Sequence, residues 1–145
     1  MSTFTIREQL IEIVNKLFVY TDSREWQKIQ EEIFGHKVLF DMSSLGAGEP
    51  AEKTSADICA MWDAGFKGID AIHHQSGNFL VTATENTATV FCYAIASHYK
   101  AAATQGKTRE FVGSYDINLS LTGYGWRITA FKYTVKYTSG NISLE

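Results

Sequence analysis

Ala71-Ile-His-His-Gln-Ser-Gly-Asn78, together with the apolar run from Ala88 to Lys100, decides the fold. Between them stand Phe79-Leu-Val-Thr82 and the turn signal Thr84-Glu-Asn-Thr87, so the stretch reads as one long β-hairpin. Each arm carries a histidine, His74 on the first and His98 on the second. A turn centred on Glu85 and Asn86 sets the two opposite each other or one residue out of register. A bulge at Ser76-Gly77 would shift the pairing by one and exchange the faces. The second arm has an even face of Ala88, Val90, Cys92, Ala94, Ala96 and His98, and an odd face of Phe91, Tyr93, Ile95 and Tyr99. Neither face is strongly polar, which predicts cover on both sides. Small residues beside His98 leave room, and room on a concave sheet face makes a pocket. His73 faces the other way on a regular strand and reads as structural. His36 reads as a surface residue.

Two more long strands follow the hairpin, after a loop at Ala101–Gly106. Phe111, Tyr115, Ile117, Leu119 and Leu121 alternate with Ser114, Asp116, Asn118 and Ser120. Thr122-Gly-Tyr-Gly125 turns the chain. The last strand opens with Trp126, Ile128 and Ala130, then changes parity to Phe131, Tyr133, Val135 and Tyr137, which predicts a bulge. Strands this long must bend, and Gly77 and Gly113 are the natural bend points. The tail after about Tyr137 is expected to fray.

Upstream lie helices. Thr5-x-x-Glu8 is a capping box, and Ile6, Leu10, Ile13, Val14 and Leu17 continue at helical spacing to about Phe18–Tyr20. Asp22 reads as the N-cap of a second helix, with Glu25 three residues on and Trp26, Ile29 and Ile33 on its buried side. Gly35 reads as its stop, and His36–Asp41 as a short strand. The loop Ser43–Pro50 is a candidate lid or rim. Thr54 or Ser55 caps a third helix containing Ile58, Met61 and Trp62, which ends near Gly65. Helices followed by an antiparallel meander give an α+β class. The expectation is one domain over residues 1–145, a strongly bent mixed or antiparallel sheet wrapped as a half-open cone around the N-terminal helices.

Composition narrows the partners. The chain has 145 residues, of which 45% are hydrophobic and 13% aromatic, enough for one sizeable core. A net charge of -3, with no basic run interleaved by aromatics, argues against nucleic acid and against a membrane surface. No stretch approaches the roughly 18 apolar residues of a membrane span. With no apolar leader at the N-terminus and no CxxC spacing, Cys59 and Cys92 read as reduced core residues of a cytoplasmic protein.

The order of elements, with Tyr20-Thr-Asp-Ser-Arg-Glu-Trp26, Trp62 followed by Gly65-Phe66, His74-x-x-Gly-Asn78, and Trp126-Arg127 with Val135-Lys-Tyr137, resembles the SnoaL-like branch of the nuclear transport factor 2-like superfamily, whose fold is cystatin-like. The resemblance covers nearly the whole chain. Scytalone dehydratase and the lindane dehydrochlorinase are the nearest members it suggests. It implies that His74 is a base, that Asp22 is its carboxylate partner, and that His98 is a second histidine of the site. It also implies chemistry without metal or organic cofactor, and assembly as a homodimer or homotrimer. The chain departs from the dehydratase in having Met42 after Asp41 where a tyrosine is usual. It departs from the dehydrochlorinase in having Phe131 and Lys132 where an arginine is usual. Steroid isomerases of the superfamily place an aspartate base near Asp41.

The chemistry that these residues suit is proton abstraction. An imidazole near its ordinary pKa of about 6.5 is a base at neutral pH, and a carboxylate on its other nitrogen fixes the tautomer. His98, Tyr20, Lys132 or Tyr133 would protonate or stabilise the developing anion, and Trp62 would wall the pocket. His74, His98 and Asp22 would make a two-histidine, one-carboxylate metal site, but no HxH or HxxxH spacing supports it, so no metal is expected. Serine and cysteine nucleophile motifs and phosphate loops are absent. The reading is therefore a dehydratase, lyase or isomerase acting on a small hydrophobic molecule, cyclic or polyketide-like. The alternatives are a non-catalytic binder of such a molecule and a dimerising interaction module.

Overall fold

A computed structural model describes residues 3–145. Helix α1 (Ile6–Asp22) begins at Thr5, whose hydroxyl accepts from the Glu8 N–H while the Glu8 carboxylate accepts from the Thr5 N–H. The reciprocal cap satisfies amides that a helix start otherwise leaves open. Leu10, Val14, Leu17, Phe18 and Thr21 form the buried stripe. The helix runs past the expected end to Asp22. The Thr21 hydroxyl donates back to the Leu17 carbonyl at 2.6 Å, and the Ser23 N–H reaches the Val19 carbonyl. Thr-Asp-Ser thus extends the last turn instead of breaking it. Arg24 then adopts a φ of 54°, which ends the helix. Asp22 is consequently the last residue of α1 and not the N-cap of the next helix. That position belongs to Glu25, which makes no side-chain cap.

Helix α2 (Trp26–Lys28) passes into a π-helical turn, Ile29–Ile33. Strand β1 (Phe34–Asp41) starts directly after it, so Gly35 lies inside a strand and does not close a helix. A four-residue strand, β2 (Ala51–Thr54), pairs antiparallel with β1. Its sequence, Ala-Glu-Lys-Thr, has no apolar alternation to announce it. Thr54 caps α3 (Ser55–Gly65) by accepting from the Asp57 N–H at 3.1 Å.

Four long strands follow: β3 (Ala71–Ala83), β4 (Thr87–Tyr99), β5 (Thr108–Thr122) and β6 (Gly125–Gly140). The sheet order is β2-β1-β6-β5-β4-β3, with β1 and β6 parallel and every other neighbour antiparallel. It is a mixed, open sheet with β2 and β3 at its edges. Bulges in β3 and β6 bend it, and the β1–β6 register shifts as well, between Phe34 and Leu39. In β3, Asn78 and Phe79 stand against one residue of β4, with Asn78 at a φ of 59°. In β6, Thr129 and Lys136 are the extra residues against β5. The first of these β6 bulges produces the parity change between Ile128 and Phe131, both buried. The β3 bulge shifts the hairpin by one residue. His74 therefore lies opposite Ala96, and His98 opposite Ile72. The two histidines are diagonal neighbours on one face, not directly opposed.

That face holds the core. The α1 stripe packs on Ala88, Val90, Cys92 and Ala94 of β4 and on Tyr115, Ile117 and Leu119 of β5. Each Leu, Val or Ile so buried contributes roughly 1.5–3 kcal/mol. The odd face of β4 stays open: Tyr93, Ile95 and Tyr99 are exposed, so the expected two-sided cover is present on one side only. After Tyr137, β6 continues to Gly140 and the segment beyond it is docked. Leu144 is 2% exposed among Ile69, Ile72 and Phe66, and the Glu145 carbonyl accepts from the Thr104 and Gln105 amides. Cys59 and Cys92 are buried free thiols, and burial pushes them up to about 11 and about 12, far from nucleophilic use. Among the described residues, no helix is long and apolar enough to cross a membrane.

Candidate active site

The end of α1 is set against the middle of β3. Asp22 Oδ1 lies 2.6 Å from His74 Nδ1, and its Oδ2 accepts the His74 backbone N–H at 3.0 Å. A carboxylate at the C-terminal end of a helix meets the negative end of the macrodipole; the two hydrogen bonds from His74 offset that cost. An ionised carboxylate only accepts, so the proton between them belongs to Nδ1. In the neutral ring the lone pair is then on Nε2, and His74 lines the cavity. The Phe18 ring stacks on the imidazole, with centres 5.2 Å apart and planes 16° apart, and fixes its tilt. The His74 side chain is 8% exposed and that of Asp22 18% exposed. The arrangement is an imidazole held in one orientation by a carboxylate and a stacked ring.

His98 stands beside it on β4. Its Nδ1 accepts from Arg109 Nε at 3.0 Å, across the β4–β5 ladder. Phe66 meets the ring edge-on and Phe111 tilts against it. Burial, and then the Arg109 charge, push the His98 pKa down to about 4. At neutral pH the ring is uncharged, so His98 cannot supply a proton as an imidazolium acid.

The cavity holds about 200 Å³. Its walls are mostly apolar, with Leu17 and Phe18 from α1, Met42 and Leu45 at the rim, Trp62 and Phe66 from the third helix and its end, and Phe111 and Phe131 from the sheet. Polar atoms come from His74, His98, Thr21, Tyr115 and Tyr133. The Tyr133 hydroxyl is buried and makes no hydrogen bond among the described residues, and burial pushes its pKa up to about 12. It is seated over Gly113, where a Cβ would stand 2.6 Å from it. The rim is fastened to the sheet. The Ser44 hydroxyl donates to the Tyr133 carbonyl at 2.8 Å and accepts from the Val135 N–H at 3.0 Å.

Of the residues expected at the site, the structure gathers His74, Asp22, His98, Trp62 and Tyr133. Three lie elsewhere. Tyr20 sits beside Lys28 and Glu32, away from the walls. Asp41 caps the turn after β1, its Oδ1 accepting from the Ser43 N–H and hydroxyl, and these bonds lower its pKa. Lys132 is exposed, because the Thr129 bulge sends Phe131 and Tyr133 inward and the residue between them outward. His36 is exposed, as expected, and His73, read as structural, is exposed too. Arg109, Tyr115 and Phe66 were not expected; only the β4–β5 register, which pairs His98 with Arg109, carries a signal for the first. Among the described residues, no group of three or more His, Cys, Asp or Glu side chains is gathered to hold a metal ion.

The family model of the SnoaL-like domain matches residues 2–132. No curated protein matches the chain. Solved structures do. The Kfla4162 protein from Kribbella flavida is 26% identical, with a TM-score of 0.90 over 95% of each chain. A scytalone dehydratase-like protein from Novosphingobium aromaticivorans is 10% identical, with a TM-score of 0.77 over 91% of this chain and 85% of its own. A type 2 hexachlorocyclohexane dehydrochlorinase is 9% identical, with a TM-score of 0.75 over 93% of this chain and 88% of its own. At the last two identities the likeness is one of fold alone, the nuclear transport factor 2-like, cystatin-like fold also seen in a further Novosphingobium neighbour.

Proposed function

The chain belongs to the SnoaL-like domain family, and on that footing we propose that it is a small-molecule enzyme of the lyase or isomerase type, working without a cofactor. The observation that carries the reading is the 2.6 Å contact between Asp22 and His74 at the wall of an apolar cavity. His74 Nε2 takes a proton from a carbon of the bound molecule. Asp22 keeps the ring in the required tautomer and stabilises the imidazolium that forms. The apolar walls exclude water, so charge developing on the substrate is met by fixed dipoles. The proton then returns to another atom of the molecule, which is isomerisation, or a leaving group departs, which is elimination. A hydrophobic, ring-containing substrate matches the aromatic walls. The dehydratase-like and dehydrochlorinase neighbours support this class of reaction by analogy of fold.

Proton abstraction can be read without the natural substrate. In deuterated buffer, 2-tetralone exchanges a proton beside its carbonyl when a base attacks it, and mass spectrometry counts the deuterium. The wild type is expected to accelerate the exchange and His74→Gln to abolish the acceleration. General-base help of this kind is worth about 10²–10⁴-fold. Tight binding of 2-tetralone with no exchange would move the protein to the non-catalytic binding reading. An exchange rate untouched by His74→Gln would remove His74 from the chemistry.

A further inference from the structure

His98 lines the cavity, and its Nδ1 is occupied by Arg109. The Arg109 guanidinium donates from Nε to His98 Nδ1 at 3.0 Å and from Nη1 to the Ile142 carbonyl at 2.7 Å. Ile142 belongs to Asn141–Glu145, the segment after β6. That segment is anchored on both sides of Ile142. The Asn141 N–H donates to the Thr108 carbonyl at 2.9 Å, Leu144 is buried, and the Glu145 carbonyl receives the Thr104 and Gln105 amides. Phe66 packs on the cluster around Leu144 and stands edge-on to His98, ring centres 5.4 Å apart. The last segment is thus tied to His98 through a guanidinium and through a phenyl ring.

We propose that Asn141–Glu145, acting through Arg109, holds His98 in its Nε2–H form and makes it a fixed hydrogen-bond donor to the molecule in the cavity. A guanidinium has five N–H donors and no acceptor. Nδ1 must therefore present a lone pair, and the single proton of the neutral ring is on Nε2. A second proton would break the Arg109 bond and set two cations against each other in a buried site. The charged and titratable groups facing the ring are Arg109 on β5, His74 on β3 and Asp22 on α1; Phe66 and Phe111 are the aromatic neighbours. The pKa of about 4 agrees with that geometry. The molecule that fits carries a hydrogen-bond acceptor, such as a carbonyl oxygen, next to the carbon facing His74. Arg109 is not a cavity wall; it is a positioning residue. Donation to a bound molecule rests on the function proposed above, whereas the tautomer does not.

Protein carrying ¹⁵N-labelled histidine, followed by two-bond proton–nitrogen correlation from about pH 8 to about pH 5, reads the ring directly and without ligand. The wild type is expected to show His98 as Nε2–H throughout. In Arg109→Met, mixed tautomers and an apparent pKa rising from about 4 towards the ordinary value near 6.5 are expected. Removing Asn141–Glu145 is expected to move both readouts the same way, and Arg109→Lys, which keeps a cationic donor, to restore the Nε2–H form. Exposed His36 and His73 serve as internal references. A proton on Nδ1 in the wild type, titration of its His98 above about pH 6, or an Arg109→Met spectrum identical to wild type would each overturn the proposal. If Arg109→Met does not fold, the wild type and the shortened chain give the same two readouts. Loss of tetralone exchange in His74→Gln tests the reaction separately, so either idea can fail while the other stands.

Discussion

At the scale of single residues, Asp22 and His98 make opposite demands on acid and base. An asparagine at position 22 would keep one oxygen for the His74 backbone N–H but could not accept from Nδ1–H as a carboxylate does. Asp22→Asn is therefore expected to favour the other tautomer, moving the proton to Nε2, and to cost about 10²–10⁴-fold in tetralone exchange. Far-ultraviolet circular dichroism should stay that of the wild type. His98 acts on stability. Its folded pKa, about 4, lies below its ordinary value near 6.5, so the unfolded chain binds the proton first. The penalty is absent above about pH 6.5, grows as pH falls, and is complete near pH 4. Between pH 7 and pH 5 the wild type should lose about 2 kcal/mol more than His98→Gln, as measured by urea unfolding at both pH values. The His74–Asp22 pairing was legible only through the resemblance to the SnoaL-like branch, because Asp22 read by itself is a helix N-cap. Arg109 was not, since nothing local marks a charged residue in an alternating strand as facing inward.

At the scale of elements, the bulges decide which side chains reach the cavity. Asn78 holds a left-handed conformation that costs a β-branched residue about 1–2 kcal/mol and glycine little. Asn78→Val is expected to lose that much stability in urea unfolding, while Asn78→Gly should stay close to the wild type. Gly113 has a stricter requirement. A Cβ there would stand 2.4 Å from the Thr134 carbonyl oxygen and 2.6 Å from the Tyr133 hydroxyl. Gly113→Ala should destabilise by about 1–3 kcal/mol, with Tyr133 displaced in a crystal structure of the variant. The four long strands and the β6 parity change were readable from alternation. The β3 shift was readable only as an option, because side-chain period cannot say which of two adjacent residues is extra. Strand β2 left no trace, since its pairing with β1 depends on the loop before it and not on apolar periodicity. The end of α1 was missed for a similar reason: Thr21 satisfies its own turn, and only tertiary contacts of Arg24 reveal where the helix stops.

At the scale of the whole molecule, one face of the sheet is covered by α1 and the other is bare. Tyr93, Ile95 and Tyr99 on β4, with Leu80 on β3 and Tyr137 on β6, are exposed. A surface of that composition favours self-association. The chain is expected to run as a dimer or trimer in light scattering, and the double change Tyr93→Glu with Ile95→Glu to give a monomer that still performs tetralone exchange. The cone and its main core followed from the order of helices and strands, whereas this bare face reversed an expectation: an apolar odd row predicted cover that the described residues do not supply. A last consequence concerns traffic into the hollow. Because Ser44 bolts its segment to Tyr133 and Val135, what is free to move at that wall is the side chains of Met42 and Leu45. Rotamer hops of that kind take picoseconds to nanoseconds, so guests should arrive in one kinetic phase whose rate scales with their concentration, with no slow opening step to saturate it.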